Sequence, residues 1–171
     1  MTLSNHFKVL FVLACTLLIS SCGWQLRGYH NATLNITSIA LDTEQINNPM
    51  FIKVFKDTLA SEYKISINSE SAVKAKITRV SERRRVSSKD RDGDTSEFEH
   101  TITLSVTTEL EEKAEPLSQN FISIGRQSYD EDNLLSSDMQ ERATKMAAYQ
   151  ELTRQYASYL SRQLLDTQAS K

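Results

Sequence analysis

The sequence predicts an α+β fold, a two-layer sandwich with two helices packed on one face of a mixed, mainly antiparallel four- to five-stranded sheet. Three patterns predict it. Between Glu97 and Leu110, Phe98, His100, Ile102, Leu104, Val106 and Leu110 hold even positions, while Glu97, Glu99, Thr101, Thr103, Ser105, Thr107 and Glu109 hold odd ones. A period of two over that length marks a strand with one buried and one wet face. Ile52, Phe55 and Leu59, flanked by Phe51 and Tyr63, recur at helical steps, and so do Met139, Ala143, Met146, Tyr149, Leu152, Tyr156, Leu160 and Leu164. Two amphipathic helices and a one-faced sheet satisfy one another when the apolar sides meet.

The chain opens on a polar start with Lys8, an apolar run from Val9 to Ile19, and the small residues Ser20 and Ser21. That is the layout of a secretory signal peptide. The run is shorter than the roughly 20 apolar residues of a membrane-spanning helix, so residues 1–21 are expected to target the chain and be removed. Ile19, Ser20, Ser21 and Cys22 resemble the bacterial lipobox. That resemblance implies cleavage between Ser21 and Cys22, with diacylglycerol and an N-acyl chain on Cys22 as the membrane anchor. Each buried CH₂ contributes ~0.8 kcal/mol, so several chains hold far more firmly than one. An ordinary signal peptide with an incidental Cys22 is the alternative. Gly23 follows, where Asp would resemble an inner-membrane retention signal, so the outer membrane is the expected destination.

Residues 22–33 read as a tether, 34–165 as one domain and 166–171 as a flexible tail. Ile36 to Asp42 is β-branched and aliphatic, a first strand. Asn47-Asn48-Pro49 then supplies a cap and a first-turn proline for a helix. Lys64 to Asn68 alternates through Ile65 and Ile67 as a short second strand. Two long strands follow, about 73–88 and 95–110, joined through Asp92-Gly93, a hairpin signal because glycine accepts positive φ. In the first of these, Val73, Ala75 and Ile77 change parity by Val80 and Val86, which a bulge or a solvated projection would explain. A further strand runs from Asn120 to Tyr129 through Ile122 and Ile124. Ser136, Ser137 and Asp138 offer caps for the last helix.

Chemistry is sparse. Without residues 1–21 the chain has 19 basic and 22 acidic residues, a net charge of −3, the wrong sign for a general nucleic-acid binder. One cysteine is left, so no internal disulfide forms. His30 and His100 are far apart and no zinc spacing exists, so no metal or cofactor is expected. No nucleophile elbow or glycine-rich phosphate loop is present. His100, on an apolar strand face, reads as a satisfied core histidine. No catalytic residue is nominated, and the chain is not expected to be an enzyme.

The one concentration of like charge is Arg83, Arg84 and Arg85 with Lys89 and Arg91 at the hairpin tip. Arginine forks match phosphate geometry. In a regular strand Arg83, Arg85, Lys89 and Arg91 would share one side. The alternative is a charged edge that discourages sheet aggregation.

Cys22-Gly23-Trp24-Gln25-Leu26-Arg27-Gly28 resembles the mature start of the LptE family of lipopolysaccharide-assembly lipoproteins, with weaker likeness at Ile39-Ala40-Leu41-Asp42, the strand to Leu110, Arg126, Ser128-Tyr129-Asp130 and the last helix. The resemblance implies a non-enzymatic protein that plugs and helps assemble the LptD outer-membrane barrel and binds lipopolysaccharide. Arg91 matches a basic position of the family's hairpin. Lys89, Arg85 and Arg83 are candidates on charge alone. Some relatives carry a lysine entering the last helix, where this chain has Ser136, Ser137 and Asp138. An outer-membrane lipoprotein enzyme acting on the cell wall, or an adaptor for another envelope protein, are the alternatives.

Overall fold

A computed structural model describes residues 36–111, 113 and 115–169. The leader, Cys22 and the tether lie outside them. Five strands, β1 (Ser38–Asp42), β2 (Ser66–Ile67), β3 (Val73–Lys89), β4 (Thr95–Leu110) and β5 (Leu117–Ser128), form one sheet in the order β2-β1-β3-β4-β5. β1 runs parallel to both β2 and β3, whereas β3, β4 and β5 form an antiparallel meander. Helices α1 (Pro49–Tyr63) and α2 (Leu134–Ala169) pack on one another and cover one face, the predicted two-layer sandwich.

Local chemistry explains the start and stop of α1. The Asn48 side chain accepts from the Phe51 N–H at 3.0 Å and Pro49 fills the first turn, as the sequence predicts. The helix ends with Lys64 in the left-handed region, φ 59°, and the Ile65 N–H reaching back to the Leu59 carbonyl at 3.1 Å. The buried side chains of α1 are Phe51, Phe55, Thr58 and Leu59. Phe51, expected only at the flank, takes the central place that Ile52 was expected to hold.

The core lies between the helices and the first half of the β3–β4 hairpin. Val73, Ala75 and Ile77 of β3, Ile102, Leu104 and Val106 of β4, and Phe121 of β5 meet Phe51, Phe55 and Leu59 from α1 and Leu152, Tyr156 and Leu160 from α2. Edge-on ring contacts tie these layers: Phe51 meets Tyr149 at 5.3 Å and Phe121 meets Tyr156 at 6.1 Å. Burial of Tyr156 pushes its phenol pKa up to about 12.

The structure resolves the parity change in β3 and corrects four expectations. The parity change in β3 is a register shift between Ile77 and Arg79, and the strand beyond it is also largely solvated. β5 buries Phe121, while Ile122 and Ile124 point to the other face. Asn133 caps α2 through its side chain at the Ser136 N–H, one turn before the predicted serines. Met139, Ala143 and Met146 are exposed rather than core. Over this half of α2 the inward side is Ser137, Glu141, Thr144 and Lys145, because the sheet beneath presents polar groups. At the other end α2 runs on to Ala169, through residues read as the start of a tail.

Candidate functional site

Beyond the register shift the two faces of β3 separate the arginine cluster. Glu82 and Arg84 turn toward the helices; Arg83 and Arg85 lie on the open face. Glu82 accepts hydrogen bonds from the Tyr149 hydroxyl, from Asn48 Nδ2 at 3.0 Å and from Lys145 Nζ at 3.2 Å. One carboxylate thus joins β3, the cap of α1 and the middle of α2. Burial opposes its charge, but the bonds from Tyr149, Lys145 and Asn48 outweigh that and hold its pKa below the usual 4.5. Burial and the Glu82 bond push the Tyr149 phenol up to about 12. Lys145 also meets Glu141 at 2.9 Å, and Glu141 takes the Arg84 guanidinium at 3.2 Å. Arg84 lies 3.6 Å over the Phe98 ring, which in turn meets Tyr129 edge-on at 5.0 Å.

Behind this network His100 is 3% exposed and its Nε2 sits 2.7 Å from Gln127 Oε1. Gln127 Nε2 donates to the Ser137 carbonyl at 3.0 Å, which leaves Oε1 as acceptor and assigns the Nε2 proton to His100. His100 is the satisfied core histidine expected of its strand position.

On the open face Glu99 has a side chain only 7% exposed, capped by two arginines. Arg85 Nη2 is 2.7 Å and Arg126 Nε 3.5 Å from its carboxylate. Arg85 is therefore already paired, and Arg84 is committed to Glu141. Arg83, Lys89 and Arg91 have no ion-pair partner among the described residues and are exposed. Further register shifts between Val86 and Ser88 and between Ser88 and Lys89 interrupt the alternation that would line Lys89 and Arg91 up with Arg83 and Arg85. The tip is closed by Asp90, whose Oδ1 accepts the N–H groups of Asp92 and Asp94 at 3.0 and 2.9 Å, with Gly93 at φ 92°.

The remaining open face is a row of hydroxyls on β4, Thr101, Thr103, Ser105 and Thr107, between Arg83 and Arg85 on one side and Ile122 and Ile124 on the other. Thr107 and Ser118 share a hydrogen bond across strands at 3.0 Å. Two grooves, of about 630 and 360 Å³, lie at the opposite end of the hairpin and contain no sequence-predicted site residue. Among the described residues no cluster of His, Cys, Asp and Glu could hold a metal ion, and no helix is long and apolar enough to cross a membrane. The Glu82 and Glu99 junctions escaped the sequence reading because each depends on cross-strand register. The odd parity of Glu99 was visible, but its neighbours Arg85 and Arg126 were not.

No family model and no curated protein matches the chain. Solved structures do. The rare lipoprotein B from Shewanella oneidensis is 13% identical with a TM-score of 0.56, over 78% of this chain and 97% of that one. A minor lipoprotein from Acinetobacter baumannii is 16% identical with a TM-score of 0.57, over 76% of this chain and 94% of that one. An uncharacterized lipoprotein B from Nitrosomonas europaea, solved by NMR in solution, is 16% identical with a TM-score of 0.52, over 81% and 93%. At these identities what is shared is the backbone architecture, and the chain has the fold of these bacterial lipoproteins.

Proposed function

We propose that the chain is a lipoprotein of the LptE type. In this reading residues 1–21 are removed, Cys22 carries diacylglycerol and an N-acyl chain, and the domain is held at the outer membrane facing the periplasm. There it plugs and helps assemble an LptD-like barrel and binds lipopolysaccharide. The observation that carries the reading is a conjunction: the run Cys22-Gly23-Trp24-Gln25-Leu26-Arg27-Gly28 stands in a chain whose fold is shared with three lipoproteins. The open face adds support. Apart from Ile122 and Ile124 at the β5 side, its hydroxyl row and the arginines of β3 make a hydrophilic surface of the kind a polar barrel lumen accommodates. Of the nominated cations, Arg83, Lys89 and Arg91 are not consumed by internal carboxylates, so they are the candidates left for lipopolysaccharide phosphates.

The deciding experiment is gentle solubilisation of outer membranes containing the tagged chain. A large barrel recovered in equal amount supports the proposal; its absence overturns it. Cys22→Ala should block lipidation and leave the leader uncleaved, and normal processing would refute the anchor. Arg91→Glu, alone or with Lys89→Glu, should weaken lipopolysaccharide binding while the far-ultraviolet spectrum is unchanged, because the tip has few core contacts. Unaltered binding would reassign the cluster to protection of a sheet edge.

A further inference from the structure

The first half of α2 lays one side on the sheet and leaves the other bare. Thr144 lies over Gly125 of β5, and Glu141 and Lys145 turn toward β3. At about 100° per residue, Leu135 and Met146 fall on the side opposite Thr144, with Met139 beside them. Leu135, Met139 and Met146 are 73%, 65% and 44% exposed, and Leu134 at their margin is 58% exposed. From Leu135 the steps to Met139, Arg142 and Met146 are four, three and four residues, the spacing by which helices pack on one another in coiled coils. Asp138 flanks this seam. The Asp138 and Arg142 side chains are exposed and have no ion-pair or hydrogen-bond partner among the described residues.

The placement of those two charges selects an occupant. Each stands two residues from Gln140, one on either side. A second copy packed antiparallel, with a twofold axis at Gln140, brings the same flank of both helices together. Asp138 of each chain then lies beside Arg142 of the other, so one sequence supplies both halves of two ion pairs. The same axis lays Leu134 and Leu135 against Met146, and Met139 against its own copy. A parallel copy in register would instead stack Asp138 on Asp138 and Arg142 on Arg142. Because the seam is on the far side of α2 from the sheet, both sheets stay outside the helix pair and β5 approaches no other strand.

We propose that the exposed stripe of α2 is an isologous interface at which a second copy of this chain packs antiparallel about Gln140, closed by two Asp138–Arg142 ion pairs. The inference concerns the chain free of other partners and does not depend on the barrel reading. A contact one helix face wide is at the small end of specific interfaces, below roughly 1,200 Å² in all, so the association reverses on dilution.

A cysteine beside the axis traps a weak pair. Helix axes about 8–10 Å apart, with Cα atoms about 2.3 Å from each axis, set the two positions 139 roughly 4.5–6 Å apart. That is inside the range of about 4.4–6.8 Å that a disulfide spans. With the full chain in mild detergent, Met139→Cys should be oxidised to a covalent dimer, whereas the unsubstituted chain and Ser158→Cys, exposed on the second half of α2, should not. Adding Asp138→Arg alone or Arg142→Asp alone sets like charges together and should slow the cross-link on the order of tenfold. Mixing those two variants pairs opposite charges again, so the rate should recover and the product should contain one chain of each. All these positions are exposed, and circular dichroism should be unchanged throughout. Absence of the Met139→Cys cross-link overturns the proposal and leaves the stripe to a lipid surface or another protein. Equal rates for every charge variant overturn it too, as chains merely sharing a micelle would give, and so does a mixture that fails to recover.

Discussion

The two halves of the β3–β4 hairpin belong to one continuous ladder but are attached to the helices by different forces. From Val73 to Val80, with Leu104, Val106 and Leu110 opposite, the attachment is apolar burial under α1 and the second half of α2. From Glu82 to Lys89, with Thr95 to Ile102 opposite, it is a set of charges and hydrogen bonds to the first half of α2. Apolar burial has no titrating group and no charge for salt to screen, whereas the second kind of attachment has both. The domain therefore has a fixed end and an end whose hold is tuned by conditions.

The difference can be broken at several points. The largest effect belongs to the fixed end. Leu104 is fully buried, and Leu104→Ala should cost about 2–5 kcal/mol, seen as a lower denaturant midpoint. At the other end the close fit of α2 on β5 is tested at Gly125. A Cβ there would lie 2.5 Å from Thr144 Cγ2, so Gly125→Ala should cost about 1–3 kcal/mol, and Thr144→Ser, which removes that methyl, should recover most of it. Failure of the rescue would mean that the two halves of α2 are not docked as described. Tyr149→Phe, which takes one donor from Glu82, should cost about 1–2 kcal/mol. Its effect should shrink in acid.

That last expectation follows from the folded carboxyls. Glu82 and Glu141 both have pKa values below 4.5. For Glu141 the Lys145 hydrogen bond leads, partly opposed by burial. A lowered folded pKa stabilises the protein above the unfolded value, and the contribution is lost as pH falls through the folded one. Stability should thus decline on acidification below 4.5, and Glu82→Gln should flatten that decline in an acid titration followed by circular dichroism. The smallest effect is expected at Arg83→Ala, within about 0.5 kcal/mol of the parent, because an exposed cation without a partner has little to lose.

The same division decides how much was legible in the sequence. β4 was readable because every inward position to Leu110 meets something chemically consistent with its type, including His100. Asn48 and Pro49 announced α1 by short-range chemistry that needs no tertiary partner. Met139 and Met146 misled because a helical stripe chosen by hydrophobicity presumes an apolar surface to meet it. The sheet under that part of α2 offers Glu82, Arg84 and Gln127 instead, so the helix is rotated to answer with Glu141, Thr144 and Lys145. The candidate site was legible as a set of charges and not as a geometry. Which arginines are spent on Glu99 and Glu141, and which are free, depends on the bulges of β3, and parity counting does not locate them.

The parallel placement of β1 also orders events in time. The β3–β4 hairpin closes across a short turn at Asp90–Asp94, and β5 follows on the next turn. β1 must wait for partners far along the chain, since Ala40 pairs with Lys74 across α1 and β2. Closing a long loop costs more chain entropy than closing a short one, and topologies rich in distant contacts fold slowly. During refolding, amide protection should therefore reach Leu104 before Ile39, and simultaneous protection would contradict the ordering. The first strand is then the last to lock, so the meander and α2 gain their structure while β1 is still free to move.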